Sequence, residues 1–148
     1  MNNILITGGA GFIGSNLVKY WAKNFPKDKI VVVDNLSYAG NLKNIQELIN
    51  QRKVKFYKID INEKQVIKDI LFENNVNLVA HLAAESHVDR SIANPHKFIK
   101  SNINGTYYLL EASLEFWNSK KRRADFRFLH VSTDEVFGSL NLDENPFN

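Results

Sequence analysis

A chain of 148 residues, 44% hydrophobic and 24% charged, suits one domain that buries roughly two-thirds of its unfolded surface. It has no cysteine, which excludes disulfides, thiolate nucleophiles and cysteine zinc sites, so any redox chemistry must come from a bound cofactor. The net charge is +3, and the one dense basic cluster, Lys120-Lys121-Arg122-Arg123, lacks the aromatic interleaving of a nucleic-acid surface and reads as a solvated helix end complementing the helix dipole.

An apolar run at Ile4-Leu5-Ile6 predicts a first strand over 3–7. Met1-Asn2-Asn3 leads straight into it without a charged region or cleavage site, and no apolar run approaches the roughly 20 residues of a membrane span, so a cytoplasmic location with no membrane contact is expected. The strand runs into Thr7-Gly8-Gly9-Ala10-Gly11-Phe12-Ile13-Gly14. Glycines at 8, 11 and 14 let a strand turn sharply into a helix while backbone amides come close to phosphate oxygens, the requirement of a pyrophosphate cradle. Ile13, Leu17, Tyr20, Trp21 and Phe25 recur at three or four and predict a helix covering one face of a sheet, with Pro26 following its end.

Ile30-Val31-Val32-Val33-Asp34 predicts a second strand over 29–34, ending in an acid about 20 residues beyond the last glycine. Asp34 is expected to accept both ribose hydroxyls of an adenosine. Its charge repels a 2′-phosphate and Asn35, Leu36, Ser37 and Tyr38 supply no cation, which favours NAD over NADP. Helical spacing near 41–50 and 63–74 alternates with strands predicted over 54–59 and 77–82. After the third strand, Ile61 is placed to pack on an adenine ring, while Asp60 either accepts from its exocyclic amine or caps the helix beginning near Asn62.

The fourth strand runs into Leu82-Ala83-Ala84-Glu85-Ser86-His87-Val88-Asp89-Arg90, where paired alanines permit close backbone approach to a nicotinamide ribose or pyrophosphate and Ser86 is within reach of a substrate. Pro95 opens a longer helix, to about 118, with apolar positions Phe98, Ile99, Ile103, Tyr107, Leu110, Leu114 and Trp117. A fifth strand over 126–132 ends in Thr133-Asp134-Glu135. Mutual repulsion and partial burial raise at least one of two neighbouring carboxyl pKa values, so one serves as acid and the other as base; in isolation the run also reads as a polar helix cap. His81 and His130 fall on strands predicted to be buried, His87 in the cofactor loop and His96 at a helix start, so no metal site is expected. The alternation implies an α/β fold, a doubly wound parallel sheet whose ligand lies beyond the carboxyl ends of the strands.

Residues 7–14, 82–91 and 132–138 together resemble the extended short-chain dehydrogenase/reductases acting on nucleotide sugars. Within them, Thr133-Asp134-Glu135 and Asp34-Asn35-Leu36-Ser37-Tyr38-Ala39-Gly40-Asn41 resemble the 4,6-dehydratases. The resemblance spans essentially the whole chain, with departures at Phe137, where tyrosine is frequent, and Ser101, where threonine is common. It implies an NAD-binding Rossmann fold with cofactor contacts at Gly8, Gly11, Phe12, Ile13, Gly14, Asp34, Asn35, Leu36, Ser37, Asp60, Ile61, Leu82, Ala83, Ala84, Glu85, Ser86 and Ser101. It further implies a nucleotide-sugar substrate, dTDP-glucose, with Ser86 and Thr133 as substrate-binding residues, and a place in deoxysugar (rhamnose) and surface-polysaccharide biosynthesis. By the same resemblance, sugar C4 is oxidised with NAD as hydride acceptor, Glu135 removes the acidified C5 proton, Asp134 protonates the departing C6 hydroxyl, and the hydride returns to C6.

That family also uses a Tyr-x-x-x-Lys pair, in which lysine lowers the tyrosine pKa so that a phenolate takes the C4 hydroxyl proton. Here Tyr20, Tyr38, Tyr57, Tyr107 and Tyr108 are followed four residues on by Asn24, Leu42, Ile61, Glu111 and Ala112. The chain therefore reads as an amino-terminal portion, residues 1–148 forming an incomplete NAD-binding domain without the substrate domain and inactive alone. The family homodimer packs the helix near 95–118 against the helix carrying that pair, so an exposed apolar face is expected here. The alternatives are a noncatalytic NAD-binding fragment, or part of another nucleotide-sugar dehydratase, epimerase or decarboxylase.

Overall fold

The computed structural model describes residues 1–140 and 145. Five strands, β1 (Asn3–Thr7), β2 (Lys29–Asp34), β3 (Val54–Lys58), β4 (Leu78–His81) and β5 (Arg127–His130), alternate with helices α1 (Phe12–Asn24), α2 (Gln46–Asn50), α3 (Lys64–Glu73), α4 (Val88–Ala93), α5 (Pro95–Phe98) and α6 (Thr106–Ser119). All pairings are parallel and the order is β3-β2-β1-β4-β5. The order reverses between β1 and β4, leaving a crevice beyond the end of β1, where open α/β sheets bind ligands. Among the described residues no helix is long and apolar enough to cross a membrane.

Successive strand residues point to opposite faces, so the continuous apolar runs divide between two cores. On one face Ile4, Ile6, Ile30 and Val32 pack with Val18 and Ala22 of α1. On the other, Leu5, Val31, Val33 and Val79 meet Ile67, Ile70 and Leu71 of α3 and Leu109, Ala112 and Phe116 of α6. A surface clamp joins α3 to α6, Glu115 receiving Lys64 and Lys68 at 2.7 Å each. Hydrogen bonds from Lys64 and then Lys68 pull the Glu115 carboxyl down to about 2.

Several sequence expectations are corrected. The buried face of α1 is Gly14, Ser15, Val18 and Ala22, while Ile13, Tyr20 and Phe25 are exposed and Leu17 and Trp21 only partly buried. The glycine turn brings the helix so close to the sheet that small residues must face it. The segment near 41–50 splits into a 3₁₀ turn (Leu42–Asn44) and α2. The helix expected over 95–118 is one path with a π-helical stretch (Ile99–Gly105) between α5 and α6. It is preceded by α4, a short helix that the apolar spacing does not predict. Finally, His81 is buried but His130 is exposed, because β5 pairs only with β4 among the described residues.

Candidate functional site

The turn after β1 is dictated by backbone crowding. Gly8 has φ +69°, a left-handed conformation that side chains rarely adopt, and an added Cβ would stand 2.8 Å from the Ala83 backbone. A Cβ at Gly14 would overlap the Gly8 carbonyl oxygen. These two glycines set the tight turn and the helix approach. Gly11 differs, since a Cβ there would meet only the Gly8 oxygen, at 3.3 Å. Helix α1 starts beside it with no side-chain cap and no acid in its first turn. Its leading amides and the positive end of its dipole are thus left for an anion.

Asp34, 7% exposed, ends β2 and holds the turn from the other side. Its Oδ2 accepts from the Ala10 amide at 2.9 Å and its Oδ1 from the Leu36 amide at 2.8 Å. Each carboxylate oxygen keeps a further lone pair for a ribose hydroxyl. The following loop folds back over the turn, with the Asn41 amide and Asn44 Nδ2 donating to the Ala10 carbonyl at 3.0 and 2.9 Å. Leu36 reaches this geometry at φ +55°.

Two side-chain clasps that sequence reading missed fix the strand on the far side. Thr7 Oγ1 lies 3.2 Å from both the Leu82 and Ala83 amides and accepts from them. Its own proton therefore goes to His81 Nδ1 at 2.7 Å, which assigns His81 the Nε2–H tautomer and lets it donate to Thr106 Oγ1 at 2.9 Å. Burial, and then the neighbouring His130, push the His81 imidazole down to about 4. The second clasp is Asn102, on the π-helical stretch. Its Oδ1 accepts from the Glu85 amide and its Nδ2 donates to the Glu85 carbonyl, both at 2.8 Å.

Together these elements enclose a cleft of about 350 Å³. Of the residues singled out in the sequence, Gly8, Gly11, Phe12, Ile13, Gly14, Asp34, Asn35, Ser37, Ile61, Leu82, Ala83, Ala84, Glu85, Ser86 and Ser101 line it; Val33, Ala39, Gly40, Ile59 and Val131 were not singled out but do so too. Leu36 and Asp60 are not among its lining residues. Asp60 neither lines the cleft nor caps α3, whose flanking residue is Glu63. Its carboxylate accepts from the Asn62 amide at 2.9 Å and from Asn62 Nδ2 at 2.7 Å. Burial works to raise that carboxyl, but the hydrogen bonds from Asn62 and Asn35, with Lys100 nearby, outweigh it and hold its pKa below the usual value.

The backbone of a 3₁₀ turn (Asp134–Phe137) carries the acidic pair just past β5, three residues beyond the cleft-lining Val131. The side chains of Asp134 and Glu135 lie outside the described residues, and Thr133 is exposed. Among the described residues no group of three or more His, Asp or Glu is placed to hold a metal ion.

A parallel sheet of this order, with a glycine turn and a strand-end acid facing one crevice at its switch point, defines a Rossmann-type nucleotide-binding domain. A family model described as GDP-mannose 4,6 dehydratase matches residues 5–148. The chain belongs to that family. It is 45% identical over 149 residues to the dTDP-glucose 4,6-dehydratase of Haemophilus influenzae, covering 99% of this chain and 44% of the relative. Among solved structures, the dTDP-glucose 4,6-dehydratase of Bacillus anthracis in complex with NAD superposes with a TM-score of 0.83 at 34% identity, covering 100% of this chain and 42% of that one. The NAD-bound dTDP-glucose 4,6-dehydratase of Streptomyces venezuelae gives 0.81 at 38% identity, covering 94% and 42%. The chain thus spans less than half the length of the relatives it matches.

Proposed function

We propose that this chain is the NAD-holding part of a nucleotide-sugar 4,6-dehydratase that acts on dTDP-glucose, in the cytoplasm. The observation that carries the reading is the crevice beyond β1, where uncapped α1 amides and the Asp34 carboxylate face one cleft. The cleft fits a dinucleotide. The turn around Gly11 and the start of α1 receive the pyrophosphate, Asp34 and Asn35 the adenosine ribose, and Ile61 the adenine face. Ala83 and Ala84 admit the nicotinamide end to the β4 backbone. Their small side chains make the room.

Bound NAD supplies the hydride acceptor for sugar C4 and the donor for C6. Around the sugar, Ser86 and Thr133 hold hydroxyls, Glu135 takes the proton from C5, and Asp134 delivers one to the departing C6 hydroxyl. The group that takes the C4 hydroxyl proton is not among these residues, since no Tyr-x-x-x-Lys occurs in the chain. The 148 residues alone are therefore not expected to turn over substrate. Ile99, Ile103, Tyr107, Leu110 and Leu114 form an exposed apolar stripe along the π-helical stretch and α6. That stripe supports homodimer packing of the family's kind.

Calorimetric titration with NAD tests the reading, with Gly11→Ala as the milder variant, because its Cβ would stand 3.3 Å from the Gly8 carbonyl oxygen and needs a shift of only a few tenths of an ångström. Asp34→Ala serves as a companion, although it also releases the Ala10 and Leu36 amides. Saturable binding weakened at least about tenfold in both, a loss of about 1.4 kcal/mol, is expected. A folded chain that takes up no NAD overturns the proposal.

A further inference from the structure

In the sheet order β2 and β4 flank β1 on its two sides, so their ends stand about 10 Å apart, two strand spacings, with the glycine turn between them. The loop from β2 presents Tyr38 at the tip of a tight turn, closed by the Gly40 amide donating to the Ser37 carbonyl at 3.1 Å. The segment from β4 presents Arg90 on α4. The Arg90 guanidinium carbon lies 3.9 Å from the centroid of the Tyr38 ring, a cation–π stack spanning the end of β1. Both abutments are pinned, one by the Asn41 amide on Ala10 and the other by the Asn102 clasp on Glu85. Neither Tyr38 nor Arg90 lines the cleft, but Ser37 and Ala39 on either side of Tyr38 do, as does Ser86 at the entry to the segment that carries Arg90.

We propose that Tyr38 and Arg90 are positioning residues that latch the dinucleotide cleft, bridging its two walls and slowing escape of the bound cofactor. The inference rests on the NAD-binding reading above. A dehydration that takes a hydride from C4 and returns it to C6 must keep the same reduced cofactor bound between the two transfers. Slow release therefore serves the reaction directly. The stack uses the ring face and the planar guanidinium, so phenylalanine preserves it and lysine weakens it.

Stopped-flow displacement of NADH from the chain, followed by its fluorescence, reads the latch. Tyr38→Ala and Arg90→Ala are each expected to speed release about two- to fivefold, the range of an exposed cation–π contact. The double variant should be no faster than either single, and Tyr38→Phe should release as the unaltered chain does. Unchanged release in the alanine variants, additive effects in the double, or an Arg90→Lys variant indistinguishable from the parent overturns the latch. If the unaltered chain binds no NADH at all, the NAD-binding reading falls and the latch with it. Binding with release insensitive to both residues sinks the latch alone.

Discussion

His81 is the buried polar residue on which the cleft geometry turns, because one imidazole ties Thr7 at the glycine turn to Thr106 at the head of α6. Its folded pKa of about 4 lies below its ordinary 6.5, so the unfolded chain takes up the proton first. The stabilisation is fully present above pH 6.5 and is lost as pH falls toward 4, by on the order of 3 kcal/mol. Urea denaturation across that window, compared with His81→Gln, should show the slope flatten in the variant. Equal slopes would place the acid sensitivity elsewhere. Asn102→Ala removes both bonds to Glu85 and should cost about 1–3 kcal/mol while weakening NAD binding. Asn102→Asp keeps the acceptor, loses the donor and should fall between. The burial of His81 was legible from its strand, but the role of neither residue was, since their partners lie 17 to 74 positions away and no local pattern encodes such pairs. The glycine turn and Asp34, by contrast, are defined by local spacing, and the structure puts them where that spacing said. Asp60 shows the limit, because an aspartate after a strand reads alike as ligand or cap, and it proved to fold onto Asn62.

Strands β1 and β2 each consist of their apolar run with one polar residue at either end, because a parallel strand buried on both faces reads as a continuous apolar stretch whose limits are easily seen. Helix α4 escaped notice because Val88–Ala93 has too few apolar residues to show a period. The π-helical stretch was invisible for a different reason, since the surrounding apolar spacing continues through it. Helix α6 gives the sharpest tests of packing. Phe116 is fully buried and edge-on to Phe72 at 5.0 Å, so Phe116→Ala should cost about 3–5 kcal/mol in chemical denaturation. Ser113 Oγ, buried on the same helix, has no hydrogen-bond partner among the described residues. Ser113→Ala should therefore stabilise the chain by about 1 kcal/mol, and a lower thermal midpoint would show that the hydroxyl is satisfied in solution. The clamp of Lys64 and Lys68 on Glu115 is held at neutral pH and lost as pH falls from 4.5 toward 2, since the folded carboxyl pKa is the lower one. Glu115→Gln should lower the midpoint at pH 7, and the difference should shrink as pH falls toward 2.

The molecule presents two unlike surfaces, a cleft at the strand ends and the apolar stripe from Ile99 to Leu114. Residues of that stripe were named from helical periodicity, which cannot say whether an apolar face turns inward or outward. The structure turns it outward, and α6 faces the sheet instead with Leu109, Ala112 and Phe116. Size-exclusion chromatography over a range of concentrations should reveal self-association of the chain, and Leu110→Glu should shift it toward the monomer. A monomer at every concentration would count against self-association of the chain through this face.

The place of β1 in the sheet also sets how the chain must assemble during synthesis. Its partner on one side, β2, follows within 26 residues, but on the other Ile4 pairs with Leu78, some 74 positions later. Translation at about 5–20 residues per second separates those two strands by roughly 4–15 s. Through that interval β1 lacks its β4 partner and keeps one edge open on the ribosome. Folding is therefore gated by the arrival of β4, and slowing or pausing translation between the two prolongs the period in which nascent chains are exposed to chaperones and to one another.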